Sequence, residues 1–373
     1  MTLLRNTIGT WLCLSIAFLP FPYAFIPRFG EMSSSIWLQI TSPLTHIFGF
    51  KNATLHTHSD SIHSWILSVI LLLIGFVIAF ILKRFDKEEN ALTIIRTSLR
   101  FFLILFLVKY GMDKLLMNQF VQAEPNVLHS KLGELSKDEL FWTSTGTSNL
   151  FNYTLGAIQL LVATFLLFPR TRFFGYLLST FVFSYILLIN LSFDISVKLL
   201  SSLLLISSIY LLSFHTGRIK ALFASSSNQF TFQNDVRSPR VFSLLFITLI
   251  LLETVFSSIA ILNSKSIAKT LIGTYKIDET IAGLNYSNLF IRSDGFIVID
   301  SSEDSEFYGV SIEENEITPL VEKQLPFRIL RKYNSLQISW YADSTNIIKN
   351  LETLTTPKEL YKDDFHLFLE NYK

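Results

Sequence analysis

Seven stretches of about twenty apolar residues dominate this chain, at roughly 8–27, 62–82, 92–112, 150–168, 173–192, 195–214 and 241–262. Each matches the hydrocarbon thickness of a bilayer, and in lipid every backbone polar group must find a partner within the fold. Stretches of this length meet that demand as α-helices. Composition agrees: half of the 373 residues are hydrophobic, 35 are phenylalanine and only 16% are charged. A soluble globular protein of this length is excluded on those grounds. The first stretch follows Arg5 as a secretory leader would, but no small-residue cleavage site comes after it and the chain continues FLPFPYAFIP. It is therefore expected to be a retained anchor.

The basic residues set an orientation. Arg5, Lys83, Arg84, Lys87, Arg170, Arg172, Arg218, Lys220, Arg237 and Arg240 fall on the N-terminal side of the crossings. The opposite loops hold few for their greater length, plainly Arg28, Lys51, Lys131 and Lys137. The positive-inside bias places the N-terminus in the cytoplasm and, after seven crossings, the C-terminal region outside, which is the periplasm if the membrane is a bacterial inner one. A formal net charge of +1 and the lack of a basic patch interleaved with aromatics argue against nucleic acid as a partner. Cys13 is the single cysteine, so a disulfide within the chain, a thiolate metal cage and a CxxC relay are all excluded.

The expected organisation is an N-terminal two-helix membrane region with an outer loop over residues 1–91, a four-helix core over 92–214, a linker and seventh membrane helix over 215–262, and a soluble β-rich domain over 263–373. Within the first outer loop, IWLQITSPLTHIFGF is amphipathic enough to lie along the interface. After residue 262 the apolar runs shorten and alternate with period two: LIGTYKI, NLFIRSDGFIVID with Asp294-Gly295 as its turn, EFYGVSI, EITPLV, PFRILRKY, LQISWYA and a closing FHLFLENY. An antiparallel meander follows, as a small sandwich or barrel, and it carries no catalytic spacing. Its expected role is stabilising, or docking of a membrane or periplasmic protein partner.

Ionisable groups inside the apolar runs are costly and need partners. INLSFDISVKLL places Asp194 and Lys198 four residues apart, the spacing of one helical face. The third run carries Arg96 and Arg100 near its start and Lys109, Tyr110, Asp113 and Lys114 near its end. Because the third and fifth runs point outward and the sixth starts outside, Lys109, Asp113, Lys114, Asn190, Asp194 and Lys198 are expected at similar depths. Arg100, two turns inside, points to the bundle interior, and Gln159 of the fourth run lies near mid-membrane. Together these residues outline either an ion-pair network that fixes helix register or an outward-opening polar pocket for an anionic or quinone-like headgroup. Three lysines against two acids favour an anion. A separate segment, HTHSDSIH, gathers His56, His58, Asp60 and His63. Imidazoles with a carboxylate form a candidate zinc or copper set, against which stands a plain polar loop in which Asp60 or Ser61 caps the next helix.

The fragments RFFLILFLVKYGMDKL, FWTSTGTSNLFNYTLGAIQLLVATFLLFPRTRFFGYL and ILLINLSFDISVKLLSSLLLI resemble a DoxX-type membrane protein. With LPFPYAFIP near the start and a β-rich tail, the chain is similar to the long DoxX-like proteins of Bacteroidetes-type bacteria. The resemblance implies a mostly α, polytopic bundle of about seven transmembrane helices with a four-helix core and a C-terminal antiparallel β domain. It also implies a place among membrane subunits associated with quinone-linked oxidoreduction and with oxidative-stress assemblies. The signature residues of such proteins correspond to Gly111, Lys114, Gln159, Asn190, Phe193, Asp194, Lys198 and Leu199. Gln159 stands where a proton-carrying acid is common, and Ser196 where a proline is. The expected function is thus that of an accessory or membrane-complex component of unassigned activity, with a quinone-linked oxidoreductase subunit, or metal or small-solute handling through the outer-loop histidines, as the alternatives. The charge bias makes one concrete expectation: alkaline phosphatase fused after Lys373 is active, and a reporter that works only in the cytoplasm is silent there.

Overall fold

A computed structural model of the chain describes residues 2–19, 27–50, 55, 59–223, 240–264, 272–281, 284–293, 296–301, 305–312, 316–319, 327–332, 335–340, 348–350 and 352–354. It divides into two compact units: residues 1–119 with 150–260, and residues 120–149 with 261–373. The expected division kept 120–149 with the four-helix core; here that segment groups with the β strands.

The first unit is helical: α1 Thr2–Phe18, α2 Pro27–Ile47, α3 Ile62–Arg84, α4 Glu88–Leu115, α7 Asn149–Leu167, α8 Arg172–Ser192, α9 Lys198–Leu212, α10 Thr216–Phe223 and α11 Arg240–Ser264, with α5 Pro125–His129 and α6 Lys137–Gly146 falling in the second unit. Among the described residues, six helical stretches are long and apolar enough to cross a bilayer: α3, α4, α7, α8, the run Lys198–Lys220 that α9 begins, and Ser243–Ala260 of α11. The first of the seven expected crossings corresponds to α1, which has 17 residues, and the end of that expected crossing, residues 20–26, lies outside the described residues.

Burial sorts these helices. On α3 the buried positions His63, Leu67, Leu71, Gly75 and Ala79 recur every fourth residue, a single ridge, while Trp65, Val69, Leu73, Phe76, Val77 and Phe80 are exposed. An apolar helix with most of its circumference bare suits hydrocarbon, not water. By contrast α4 is buried almost continuously from Thr97 to Leu107, which makes it the axle of the unit. Along α3 lies α1, with Trp11 Nε1 donating to the Ser68 carbonyl at 3.0 Å. Gly75 permits the approach, since a Cβ there would stand 3.0 Å from the Trp11 amide nitrogen. In α2 the pattern is inverted: Ser33, Thr41 and Thr45 are buried while Met32, Ile36 and Ile47 are exposed.

Helix ends are closed by one device. After α2, α3, α4 and α8 a residue in the left-handed region, Gly49, Asp86, Met117 or Asp194, turns the chain back. The next amide then reaches a carbonyl in the last turn: Phe50 to Thr45 at 2.9 Å, Lys87 to Leu82 at 3.0 Å, Asn118 to Asp113 at 2.8 Å, and Ile195 to Asn190 at 3.0 Å. These are Schellman closures, which glycine usually serves. Only one of the four uses glycine.

The start of α9 is served differently. Its first residue follows Val197, whose side chain cannot accept a hydrogen bond. Asp60 supplies the cap from elsewhere in the chain, its Oδ2 accepting from the Lys198 amide at 2.6 Å and its Oδ1 from the Leu199 amide at 3.2 Å. The Asp60 amide donates in return to the Ser196 carbonyl at 2.6 Å. Ser61 caps α3 itself, accepting from the Ser64 amide at 3.2 Å.

The second unit contains an antiparallel sheet: β1 Gly273–Ile281, β2 Leu284–Ile291, β3 Phe296–Ser301, β4 Ser305–Ile312, β5 Glu316–Pro319, β6 Phe327–Lys332, β7 Ser335–Trp340, β8 Ile348–Asn350 and β9 Glu352–Leu354. Neighbouring strands pair in chain order from β1 to β8, and β9 pairs with β1. One residue separates β8 from β9, so the two edges of the meander meet through the chain itself, the topology of a closing barrel. The expected turn Asp294-Gly295 and the expected strand FHLFLENY lie outside the described residues. Leu289, Phe290 and Ile291 on β2, and Ile297, Val298 and Ile299 on β3, are all buried. Alternate strand residues point to opposite faces, so both faces are covered here. One cover is α5: the His129 ring lies 5.6 Å from Phe290, Arg292 donates to Asn126 Oδ1 at 3.2 Å, and the Ser293 amide donates to Glu124 at 2.9 Å.

Capping gives a measurable expectation. Asp60→Ala leaves the first α9 amides without an acceptor and lowers stability by about 1–2 kcal/mol, while Asp60→Asn retains roughly half of the effect. Thermal unfolding of the detergent-solubilised protein reads both.

Candidate functional site

The polar cluster forms where α4 ends. Its Schellman closure folds Asn118 and Gln119 back over the last turn, so that Asn118 Nδ2 approaches Asp113 Oδ1 at 3.4 Å. Lys114 is buried, and its ammonium donates to Gln119 Oε1 at 2.6 Å, to Gln159 Oε1 on α7 at 3.2 Å and to the Tyr110 carbonyl at 3.4 Å. An ammonium has three N–H donors, and these three acceptors match them.

One turn earlier, Lys109 pairs with Glu253 of α11 at 2.8 Å, the carboxylate side chain being 1% exposed and the lysine 16%. Stacking of Phe246 on Phe101, with centroids 5.1 Å apart, adds a second tie between α4 and α11. On the α7 side the backbones come close: a Cβ on Gly156 would stand 2.8 Å from the Gly111 carbonyl oxygen. Small residues at facing positions allow such an approach between membrane helices. The Lys114–Gln159 bond sits beside this glycine pair, so helix distance and polar partner are fixed together.

The expected site therefore divides. Lys109, Asp113, Lys114 and Gln159 come together at the end of α4, joined by Gln119 and Glu253. Asn190, Asp194 and Lys198 build the α8–α9 corner. There the structure corrects the expectation that Asp194 and Lys198 share a helical face: Asp194 lies between the helices, with φ 55° and its side chain largely exposed. The pair forms all the same, at 2.7 Å, across the start of α9. Asn190 is buried and donates to Ser201 Oγ at 3.0 Å, tying α8 to α9. Arg100 is buried beside the Phe101 ring, and Tyr110 stacks on Phe106.

Glu253 was missed by the sequence argument although the signal was present, since it is the one charged residue in the seventh apolar run. It also changes the charge balance. At the end of α4 two cations, Lys109 and Lys114, face two acids, Asp113 and Glu253, so the excess of positive charge that favoured an anion is gone.

Of the histidine set, His56 and His58 lie outside the described residues. His63 is buried with Nδ1 2.8 Å from Thr41 Oγ1, and Asp60 spends both oxygens on α9 amides. Among the described residues no group of three or more His, Cys, Asp or Glu side chains is arranged to hold a metal ion.

Comparison with known proteins gives one informative relative. The chain is 30% identical over 132 residues to the Bacillus subtilis (strain 168) protein YwoB, which is described as uncharacterised; the match spans 82% of YwoB and 35% of this chain. The chain belongs to the YwoB family. The family name carries no activity, and most of this chain lies beyond the shared region. No family model matches the chain, and no solved structure matches it.

The Lys109–Glu253 tie can be measured by a double-mutant cycle. Glu253→Ala alone strands a mostly buried lysine and costs about 3 kcal/mol, while Lys109→Leu with Glu253→Leu recovers most of that loss. Unfolding midpoints of the three variants in one detergent decide it.

Proposed function

We propose that this protein is a DoxX-like, multi-pass inner-membrane protein that acts as an accessory component of a membrane complex. The observation that carries this is the mutual matching of the polar groups at the end of α4. Lys109 is paired with Glu253, and Lys114 has an acceptor for each ammonium proton. A site that binds a headgroup or quinone oxygen needs a donor held ready for it, and here the donors hold helices together instead. The network clamps α4 to α7 and to α11, a scaffold for whatever the extramembrane parts engage.

In this proposal α1 counts as a crossing. It runs beside α3 in the opposite direction, Thr7 and Trp11 meeting Gly75 and Trp11 meeting Ser68. Seven crossings then put the N-terminus in the cytoplasm and the β strands in the periplasm, where they offer a surface to a protein partner.

Native electrophoresis of gently solubilised membranes containing the full chain tests the accessory role. The expected result is migration with a second protein in fixed ratio, retained in Lys114→Gln. Migration alone, with purified protein that oxidises decylubiquinol, overturns it in favour of a quinone-linked subunit.

A further inference from the structure

The feature of the helical unit that the α4 network does not use lies on α1. Asn6 is fully buried and Thr10 nearly so, yet among the described residues no protein atom hydrogen-bonds Asn6 Nδ2, Asn6 Oδ1 or Thr10 Oγ1. The two are one turn apart on one face of the helix, which sets their Cβ atoms about 5–6 Å apart. What flanks that face fixes its direction. On one side Gly9 is pressed against α4 and α9, where an added Cβ would meet Ile95 and, at 2.6 Å, the Tyr210 hydroxyl. On the other side Thr7 and Trp11 meet Gly75 of α3. Asn6 and Thr10 therefore point into the seam between α3 and α4.

We propose that this seam is a binding site for an ordered water molecule bridging Asn6 and Thr10. A primary amide offers two donors and one acceptor, and a threonine hydroxyl offers one donor and accepts as well. Two hydrogen bonds of about 2.8 Å that meet near the tetrahedral angle at one water oxygen join polar atoms about 4.5 Å apart, within reach of two side chains whose Cβ atoms are about 5–6 Å apart. Buried waters need two to four polar partners, and Nδ2, Oδ1 and Oγ1 supply them. The ligand is neutral, since the donor set holds no charged side chain, and small, since Asn6 has no exposed surface through which a larger group could enter. The amide accepts one water proton at Oδ1 or donates from Nδ2, and the threonine hydroxyl completes the bridge. The water fixes the rotation of α1 about its own axis in the way that Gly9 and Gly75 fix its distances.

Radiolytic footprinting in H2 18O tests this on the full chain in nanodiscs. Hydroxyl radicals generated from a bound water label the side chains next to it even where bulk solvent does not reach. The expected result is 18O label on the 6–16 segment of α1 in the wild type and its loss in Asn6→Leu with Thr10→Val. The melting midpoints form the second readout: once either substitution is made, the other adds no further shift, because one water serves both. Label that persists in the double variant overturns the proposal, and so do strictly additive midpoint shifts. Thr10→Val alone, a near-isosteric change, serves as the footprinting variant if the double variant does not fold.

Discussion

Backbone groups at helix ends are the constraint on which the helical unit depends, because lipid offers them no partner. The fold meets it twice over. Four helices close with the same Schellman geometry, and α9 borrows its first acceptor from Asp60, far away in the chain. Each solution also does something else. The closure of α4 carries Gln119 onto Lys114, and the closure of α8 leaves Asp194 free to pair with Lys198. Gln119, Asp194 and Lys198 are thus placed by where helices end.

Charge matching follows from the same logic. A lysine surrounded by apolar residues is tolerable only when its donors are occupied, and the acceptors around Lys114 are neutral amides and a carbonyl. Lys109 needs a full countercharge and finds it on α11. The axle helix is consequently held on one side by close backbone approach and on the other by an ion pair and stacked aromatic rings. This division of labour suits a scaffold whose helices keep fixed distances.

Much of this was legible in the sequence, and what escaped did so for physical reasons. Apolar runs announced the crossing helices because bilayer thickness dictates their length, and period-two alternation announced the strands. Lys109, Asp113 and Lys114 could be grouped by depth alone, whereas Gln159, expected near mid-membrane, joins them through its bond to Lys114. The pairing of Lys109 with Glu253 could not, since it joins residues 144 positions apart and depends on which helix stands next to α4. Asp194 misled because i, i+4 spacing reads as one helical face, whereas a left-handed turn residue followed by a helix start produces the same pair. Asp60 looked like a metal ligand or a local cap; its use as the cap of a distant helix has no local signature. Glycine would have marked the closures, but Asp86, Met117 and Asp194 stand where it is usual.

The composition of the second unit sets an order of events during synthesis. Residues 120–149 leave the ribosome before α7 to α11 exist, and the strands that α5 covers are made only after all of them. At about 5–20 residues per second the interval from residue 149 to β3 is on the order of ten to thirty seconds. Throughout it, the Phe120, Phe141 and Trp142 cluster and α5 exist without the strands of their unit. The capping box at Ser136, where the Ser136 amide donates to Glu139 at 3.1 Å, is made entirely of nearby residues and can form during that wait. The synthesis of α7 to α11 thus acts as a clock between the two halves of a single compact unit.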